Sequence, residues 1–485
     1  MKTPYPYETR ARYWLNRQLN QGNNPALVMP AGSGKTFTAT LVIKDRIALK
    51  KRLLVLCGTE EIFDQWQVEF SENNINYGYI NPEGIIGRNK SVYICMWQSL
   101  YNILTALPEK FVTSFDEIFT DETHHSSSPT LEGIYEHFEH CQRVGLTATL
   151  YRMDNKPLGK YYNTMYEPIT QSKAIEQGFL CEPIIIVPDE YKIYVPKNID
   201  EVENINKSDQ RKNIQDKKII GDMIKVYKDV FAGEPCMIAC SSHAHAIIVA
   251  GMYREHGWIV EHLHGTLNKT DRKMIIRKAR QKKINIIVTY AVGTEGLDIK
   301  ELMGIIWMRL TESLTVWIQL NMRAARVFKK KKNYILIDPM GNLLLHGSPA
   351  LDRKWSLETD YIPGQDVPDA PQSRICPVCG VVNSIDNGKC WICGYNFMTG
   401  MIDGELVSKK KRRLPKMIDG ELVYLDEEKI WINDNKFIIN RKTTAVEIEK
   451  KVQAELTKTQ KIEILSRDLV GLKMKNKFRE GLKWL

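Results

Sequence analysis

Residues 25–36 read PALVMPAGSGKT, an apolar stretch running into Gly32, Gly34, Lys35 and Thr36 and then into a helical pattern from about Thr36 to Leu49. That order suits a phosphate. Glycines let successive backbone N–H groups curl around the anion, a lysine reaches its outer oxygens, and a hydroxyl can hold Mg²⁺. Ala31, Gly32, Ser33, Gly34, Lys35 and Thr36 are therefore the candidate ATP loop, although the strict pattern has glycine where this chain has Met29. Hydrolysis also needs carboxylates at the end of a second parallel strand. EIFTDETHH supplies them, with Asp121 to hold Mg²⁺ together with Thr36 and Glu122 to orient or deprotonate the attacking water. A lone Asp-Glu could equally close a strand in solvent, but this one is followed by GLTAT in the same alternating region.

A second chemistry is written in CPVCG and CWICG. Cys376, Cys379, Cys390 and Cys393 offer Zn²⁺ four thiolates from two tight C-x2-C turns, each closed by a glycine. Disulfides, disfavoured in a reducing compartment, and an iron–sulfur cluster are the alternatives. The other six cysteines, at 57, 95, 141, 181, 236 and 240, sit singly in apolar segments and read as buried thiols. His243, His245, His262 and His264 have no acidic or cysteine partner at metal-binding spacing and are not read as a metal site.

Positioning these groups requires strands and covering helices. ALVM, LLVLC, VYICM, EIFTD and RVGLT, then PCMIAC, INIIVTY and GIIWM, alternate with amphipathic stretches. That is the pattern of an α/β fold with parallel sheets covered on both faces, here in two sets. The expected division is a first domain over 1–165, a second over 166–345, a linker over 346–372, a zinc ribbon over 373–400 and a basic C-terminal region over 401–485. QDVPDAPQSR, with its two prolines, marks the linker, and 200–218 reads as a polar excursion. MIDGELV occurs at 401–407 and again at 417–423, which suggests two small hairpins with KKKRR exposed between them. Thr444 and Glu447 form a capping-box pattern ahead of Ile448, Val452, Leu456, Leu465, Leu469 and Leu472 at helical spacing.

Composition narrows the class. With 43% hydrophobic and 26% charged residues, the chain can build real cores, which excludes disordered and fibrous proteins. No apolar run approaches the ~18 residues of a membrane helix, and charges occupy the place of a signal peptide's apolar stretch. A cytoplasmic protein without membrane partners is expected, of a bacterial or phage-infected cell. The net charge of +10 hints at a polyanionic partner, and residues 401–485 carry much of it, with 20 Lys and Arg against 14 Asp and Glu.

Read in order, these segments resemble the motifs of superfamily 2 helicases over roughly residues 5–340. AGSGKT resembles motif I, VLCGTEEIFDQW motif Ia, MWQSL motif Ib, DETH the DExH form of motif II, and TAT motif III. CSSHAHA resembles motif IV, VTYAVGTEGLDI motif V and QLNMRAAR motif VI. The Ia wording and the DExH box look closest to the DNA repair and recombination branch, the UvsW- and RecG-like helicases. The resemblance implies two RecA-like domains with ATP between them. Arg323 and Arg326 would reach the phosphates from the second domain, with Gln319 beside them and Asp298 at the ribose. His124, Thr147 and Thr149 would couple the γ-phosphate to the strand-binding face. Nucleic acid would cross the tops of both domains at Thr59, Gln98, Ser99, Ser242, His264, Gly265 and Thr289. Each of those hydroxyls could equally be a helix cap. Two departures stand out: Met322 replaces the usual glycine of motif VI, and Glu8 in PYPYE replaces an adenine-reading glutamine.

The function so implied is an ATP-dependent DNA helicase or translocase of replication, recombination or repair, using ATP, Mg²⁺ and Zn²⁺. Its partners would be single-stranded, duplex or forked DNA, with replication or recombination proteins at the C-terminal region. An RNA helicase, and the motor subunit of a restriction-type complex with its nuclease on another chain, stay open. So does the task of the zinc ribbon, a structural staple or, with KKKRR and Trp391, a grip on duplex.

Overall fold

The computed structural model describes residues 3–152, 154–186, 217–290, 298–366, 373–384 and 386–402, with the segments 405–406, 415–418, 420–425, 429–432 and 435–438. The helical pattern of 444–472, the KKKRR run and most of 200–218 lie outside the described residues.

The strands of the first sheet are β1 (Pro25–Val28), β2 (Leu53–Cys57), β3 (Tyr77–Asn81), β4 (Gly84–Ile86), β5 (Val92–Met96), β6 (Glu117–Asp121), β7 (Gln142–Thr147) and β8 (Thr164–Tyr166). They lie in the order β4-β3-β5-β2-β6-β7-β1-β8, parallel except for the β3–β4 hairpin. The central strands β1, β2 and β5 are continuous apolar runs, as strands covered on both faces tend to be, while β6 and β7 end in polar residues. The period of two splits each strand between two cores. Leu27, Leu53, Val55 and Cys57 face the helices Pro6–Asn20, Lys35–Ala48 and Glu60–Glu72, while Ala26, Val28, Leu54 and Leu56 face Trp97–Ile103 and Pro129–His137. Arg46 and Glu117, both buried, pair between the Lys35–Ala48 helix and β6.

The second sheet comprises β9 (Glu182–Ile186), β10 (Cys236–Cys240), β11 (Val260–Leu263), β12 (Ile286–Thr289), β13 (Gly304–Met308) and β14 (Asn333–Ile337). Its order is β11-β12-β10-β13-β14-β9, all parallel. On one face the Leu314–Ala324 helix is buried along its whole length, because its far side meets the first domain. The fold is thus α/β with two parallel-sheet RecA-like units, whose cores merge around that helix.

The strands β15 (Ser373–Ile375) and β16 (Val382–Ser384) form a small antiparallel ribbon around the four clustered cysteines. It is not a free appendage. Val381 bridges Ile186 of β9, the outermost strand of the second sheet, and the cysteines share one core with Ile184, Ile335 and Ile337. The ribbon therefore covers an edge that would otherwise be open to pairing. Both copies of MIDGELV are hairpins: β17 (Met401–Ile402) pairs with β18 (Glu405–Leu406), and β19 (Lys416–Ile418) with β20 (Glu421–Leu425). The second copy continues into β21 (Lys429–Ile432) and β22 (Asn435–Ile438). Within the stretch read as a linker, Trp355 donates to Glu167 at 3.0 Å, and the Tyr361 amide donates to the Asn155 carbonyl at 2.9 Å. These aromatic residues hold 346–366 against the body.

Candidate functional site

Sheet order does the first work of assembly. β1, β7 and β6 are neighbours, so the loop after β1, Thr147 and Thr149 at the end of β7, and Asp121 and Glu122 at the end of β6 share one rim. In the loop, Gly32 and Gly34 take φ of 90° and 89°, the left-handed region that only glycine enters cheaply. At Gly34 a side chain is excluded twice, since a Cβ there would collide with the buried Glu8 carboxylate. The helix then begins at Lys35, and its unpaired N–H groups point toward the rim. Met29, where glycine was expected, is fully buried and packs in the core beside Leu27.

The Lys35 ammonium lies 3.7 Å from Asp121 and 3.5 Å from Glu122. Asp121 also accepts the Trp66 indole N–H and the Glu122 amide, both at 3.0 Å. Burial raises the Asp121 carboxyl to about 6; Lys35 opposes that shift and neighbouring Glu122 adds to it. A carboxylate so buried would gain from a divalent cation, and Thr36, which lines the same cleft, could offer its hydroxyl to Mg²⁺ beside it. Glu122 itself has φ of 51°, a left-handed turn that costs a non-glycine residue energy and aims its carboxylate across the cleft.

Across that cleft stands the Leu314–Ala324 helix. Gln319 donates to Glu122 at 3.1 Å and lies 3.4 Å from His124 Nδ1. Thr149 donates to Thr315 at 3.2 Å, and Thr315 donates to the Tyr151 carbonyl at 2.8 Å. Thr147 closes a local turn by donating to the Thr149 carbonyl at 2.6 Å. The expected coupling residues His124, Thr147 and Thr149 are thus on or beside the seam between the sheets. Arg326 pairs with Asp298, which Arg280 also approaches at 3.6 Å; burial would raise the Asp298 carboxyl, but Arg326 holds it below its ordinary range. Met322 is buried, and its sulfur accepts from Gln171 at 3.0 Å.

A cleft of about 610 Å³ gathers Gly32, Gly34, Lys35, Thr36, Asp121 and Glu122 on one side and Asp298, Arg323 and Arg326 on the other. That volume lies within the range of small-molecule sites. Phe179 also lines it and packs tilted against Tyr5 and edge-on against Tyr7, at centroid distances of 4.7 and 5.5 Å; Tyr7 donates to the Ser33 carbonyl at 2.9 Å. The sequence marked PYPYE as an adenine-reading segment and the run ending in Trp66 as motif Ia, but gave no role to Tyr5, Tyr7, Phe179 or Trp66 themselves.

The strand-face candidates divide. Ser242, His264 and Thr289 lie at or beyond the ends of the neighbouring strands β10, β11 and β12. Thr59 and Ser242 are N-caps, accepting from the Ile62 and His245 amides at 3.3 and 3.0 Å. Ser99 and Thr289 are buried, Gln98 and Gly265 are exposed, and His264 is 2.8 Å from Thr266 Oγ1. The rings of His243, His262 and His264 pack together at 4.8–5.2 Å. Residues 291–297 of the motif V segment lie outside the described residues.

The four cysteines fit zinc. Sγ of Cys376 is 3.5 Å from that of Cys393, and Cys379 is 3.6 Å from Cys390. A tetrahedron with Zn–S bonds of about 2.3 Å has edges of about 3.8 Å. Both knuckles close with a glycine amide, Gly380 to the Cys376 carbonyl and Gly394 to the Cys390 carbonyl, each at 2.9 Å. No other group of metal-binding side chains converges this way among the described residues.

Comparison with known proteins gives two family matches along the chain. Residues 1–152 match the family described as "Type III restriction enzyme, res subunit", and residues 218–328 match "Helicase conserved C-terminal domain". A "51.5 kDa protein" of a Lactococcus phage is 24% identical over 408 residues, covering 83% of this chain and 82% of that protein. The EcoKI endonuclease subunit of a type I restriction enzyme from Escherichia coli is 24% identical over 373 residues, but this chain spans only 31% of its length. Among solved structures, a fragment assigned as the HsdR subunit of a type I restriction enzyme from Vibrio vulnificus has a TM-score of 0.55 at 20% identity, over 70% of this chain and 65% of that one. No helix among the described residues is long and apolar enough to cross a membrane.

Proposed function

Since the chain carries both domains of an ATP-dependent superfamily 2 helicase, we propose that it is a DNA motor, which uses hydrolysis in the Lys35–Arg326 cleft to translocate along or remodel DNA. The observation that carries this reading is the meeting of phosphate loop, carboxylates and arginines from two sheets in one cleft. Lys35 and the loop amides bind the phosphates. Asp121 and Thr36 would hold Mg²⁺, whose chemistry when bound is to neutralise charge on the β- and γ-oxygens. Glu122 orients or deprotonates the attacking water, and Arg323 and Arg326 supply positive charge only while the domains are closed. Opening and closing the Thr149–Thr315 and Glu122–Gln319 contacts therefore couples turnover to domain movement. Asp298, held by Arg326, would accept from the ribose.

One consideration favours DNA over RNA: the family matching the first domain is named for restriction enzymes, and so are the bacterial relative and the fold neighbour. Excess positive charge at the C-terminus suits a phosphate backbone of either kind. We place the chain among the DExH motors near the repair and recombination branch, acting on branched or forked DNA, with Ser242, His264, Gly265, Thr289, Thr59, Gln98 and Ser99 along the strand path and Zn²⁺ in the ribbon. The motor of a restriction-type complex is a second reading, favoured by those same relatives, and co-purification with a nuclease subunit would support it. The test is ATPase stimulation and unwinding with single-stranded, duplex and forked DNA and with RNA. Forked DNA is expected to stimulate most, Lys35→Ala to abolish turnover, and Glu122→Gln to bind ATP without hydrolysing it. Normal stimulated turnover in Lys35→Ala would sink the site assignment, and stimulation by RNA alone would sink the DNA reading.

A further inference from the structure

FKKKKN at 328–333 has the look of a solvated basic turn, yet Lys331 is only 1% exposed. Its ammonium donates to three backbone carbonyls, those of Leu302 at 2.7 Å, Ala324 at 3.0 Å and Lys300 at 3.1 Å. Three donors meet three acceptors, so the buried charge is fully satisfied. The acceptors lie at significant places. Ala324 follows Arg323 in the last turn of its helix, just before Arg326, and a cation there also suits the helix dipole. Lys300 and Leu302 follow Asp298, the partner of Arg326. One side chain thus pins the Asp298 segment to the helix end that carries both arginines.

The outer side of this turn is covered by the second MIDGELV hairpin. Gly420, at φ of 84°, sits so close that a Cβ there would lie 3.1 Å from the Lys331 Cβ and 3.3 Å from its backbone nitrogen. Next to it, Glu421 pairs with Lys330 at 3.7 Å.

We propose that Lys331 is a positioning residue for Arg323 and Arg326, and that the β19–β20 hairpin, seated on it through Gly420 and Glu421, links the C-terminal region to the rate of ATP turnover. Lys331 touches no reacting atom; it acts by fixing the distance between two segments that must both face the phosphates. The hairpin limits how far the 328–332 turn can move, so a ligand that draws the C-terminal region away would loosen the arginines. This rests on the two arginines acting at the phosphates.

The test is steady-state ATPase of the full chain with saturating DNA, well below the melting temperature. Lys331→Met is expected to lower kcat at least about tenfold, the effect of roughly one misplaced charged contact, while KM for ATP changes by less than about threefold. Lys331→Arg, which keeps the donors, should fall between Lys331→Met and wild type. Gly420→Ala, which keeps Lys331 but presses on its backbone, should lower kcat by about two- to fivefold. A folded Lys331→Met protein with wild-type kcat would overturn the inference. So would losses that merely track the unfolded fraction. Should Lys331→Met fail to fold, wild-type kcat in Gly420→Ala would overturn it instead. Arg323→Ala separates the two levels. Retained turnover there removes the arginine reading itself, whereas an inactive Arg323→Ala beside a normal Lys331→Met removes only the positioning role.

Discussion

Gln319 offers the sharpest probe of coupling between the two sheets, because its amide donates across the cleft to Glu122, the residue assigned to activate water. The perturbation is Gln319→Ala. A hydrogen bond to a charged acceptor is worth about 1.5–3 kcal/mol when its geometry is good, and this one is part-buried at 3.1 Å, with Gln319 itself only 2% exposed. If the bond forms fully only in the closed, reacting arrangement, its loss falls on the barrier and should lower kcat by about 10- to 150-fold. ATP affinity should change by less than about threefold, since the bond joins two protein groups. The assay is DNA-stimulated ATPase under single-turnover conditions, with nucleotide binding measured separately. Asn321→Ala is the control on the same helix. Its side chain donates to the Trp317 carbonyl at 2.9 Å and accepts from Trp307, contacts wholly inside the second domain. It should cost about 1–2 kcal/mol of stability while leaving turnover per folded molecule within about twofold. Wild-type turnover in Gln319→Ala, or equal losses in both variants, would refute the reasoning.

Two other tests reach different parts of the molecule. Metal analysis should find one zinc per chain, and Cys390→Ser or a strong chelator should lower the melting temperature of the second domain itself, because Val381, Ile392 and the cysteines belong to that domain's core. A chelated protein that melts as before would show that the ribbon is only an appendage. Glu167, whose carboxyl burial raises to about 7 despite the Trp355 indole that donates to it, is protonated in the fold at pH values where the unfolded chain has lost that proton. Its contribution is therefore present below the unfolded value of about 4.5 and is lost as pH rises through about 7. Glu167→Gln should accordingly raise stability at pH 8 by on the order of 1 kcal/mol, partial exposure having reduced the full effect, and change little at pH 4.5. The same shift at both pH values in thermal melts would rule out that cause.

How much of this could be read from the sequence depends on what kind of neighbour a residue has. Gly32, Gly34, Lys35, Asp121 and Glu122 were legible because their chemistry is local: a strand, a turn and a residue type suffice, and parallel sheets bring strand ends to one rim. The cysteine knuckles were legible for the same reason. What was hidden is pairwise and distant. The motif VI resemblance put Gln319 at the ATP site, but nothing in LTVWIQLNMRA says that its amide will meet the Glu122 carboxylate itself. Met29 and Met322 looked like defects in glycine motifs and are core residues. Lys331 is the strongest instance, since three of its neighbours in the run are lysines and charge runs are usually solvated. Its burial follows from the carbonyls left open where the Leu314–Ala324 helix ends and the segment after Asp298 turns, which are groups no residue letter records. A backbone carbonyl buried without a partner is costly whichever residue bears it. The unread residues of this site are therefore concentrated where one segment's backbone is completed by another segment's side chain, and that is also where turnover is most open to control from outside the cleft.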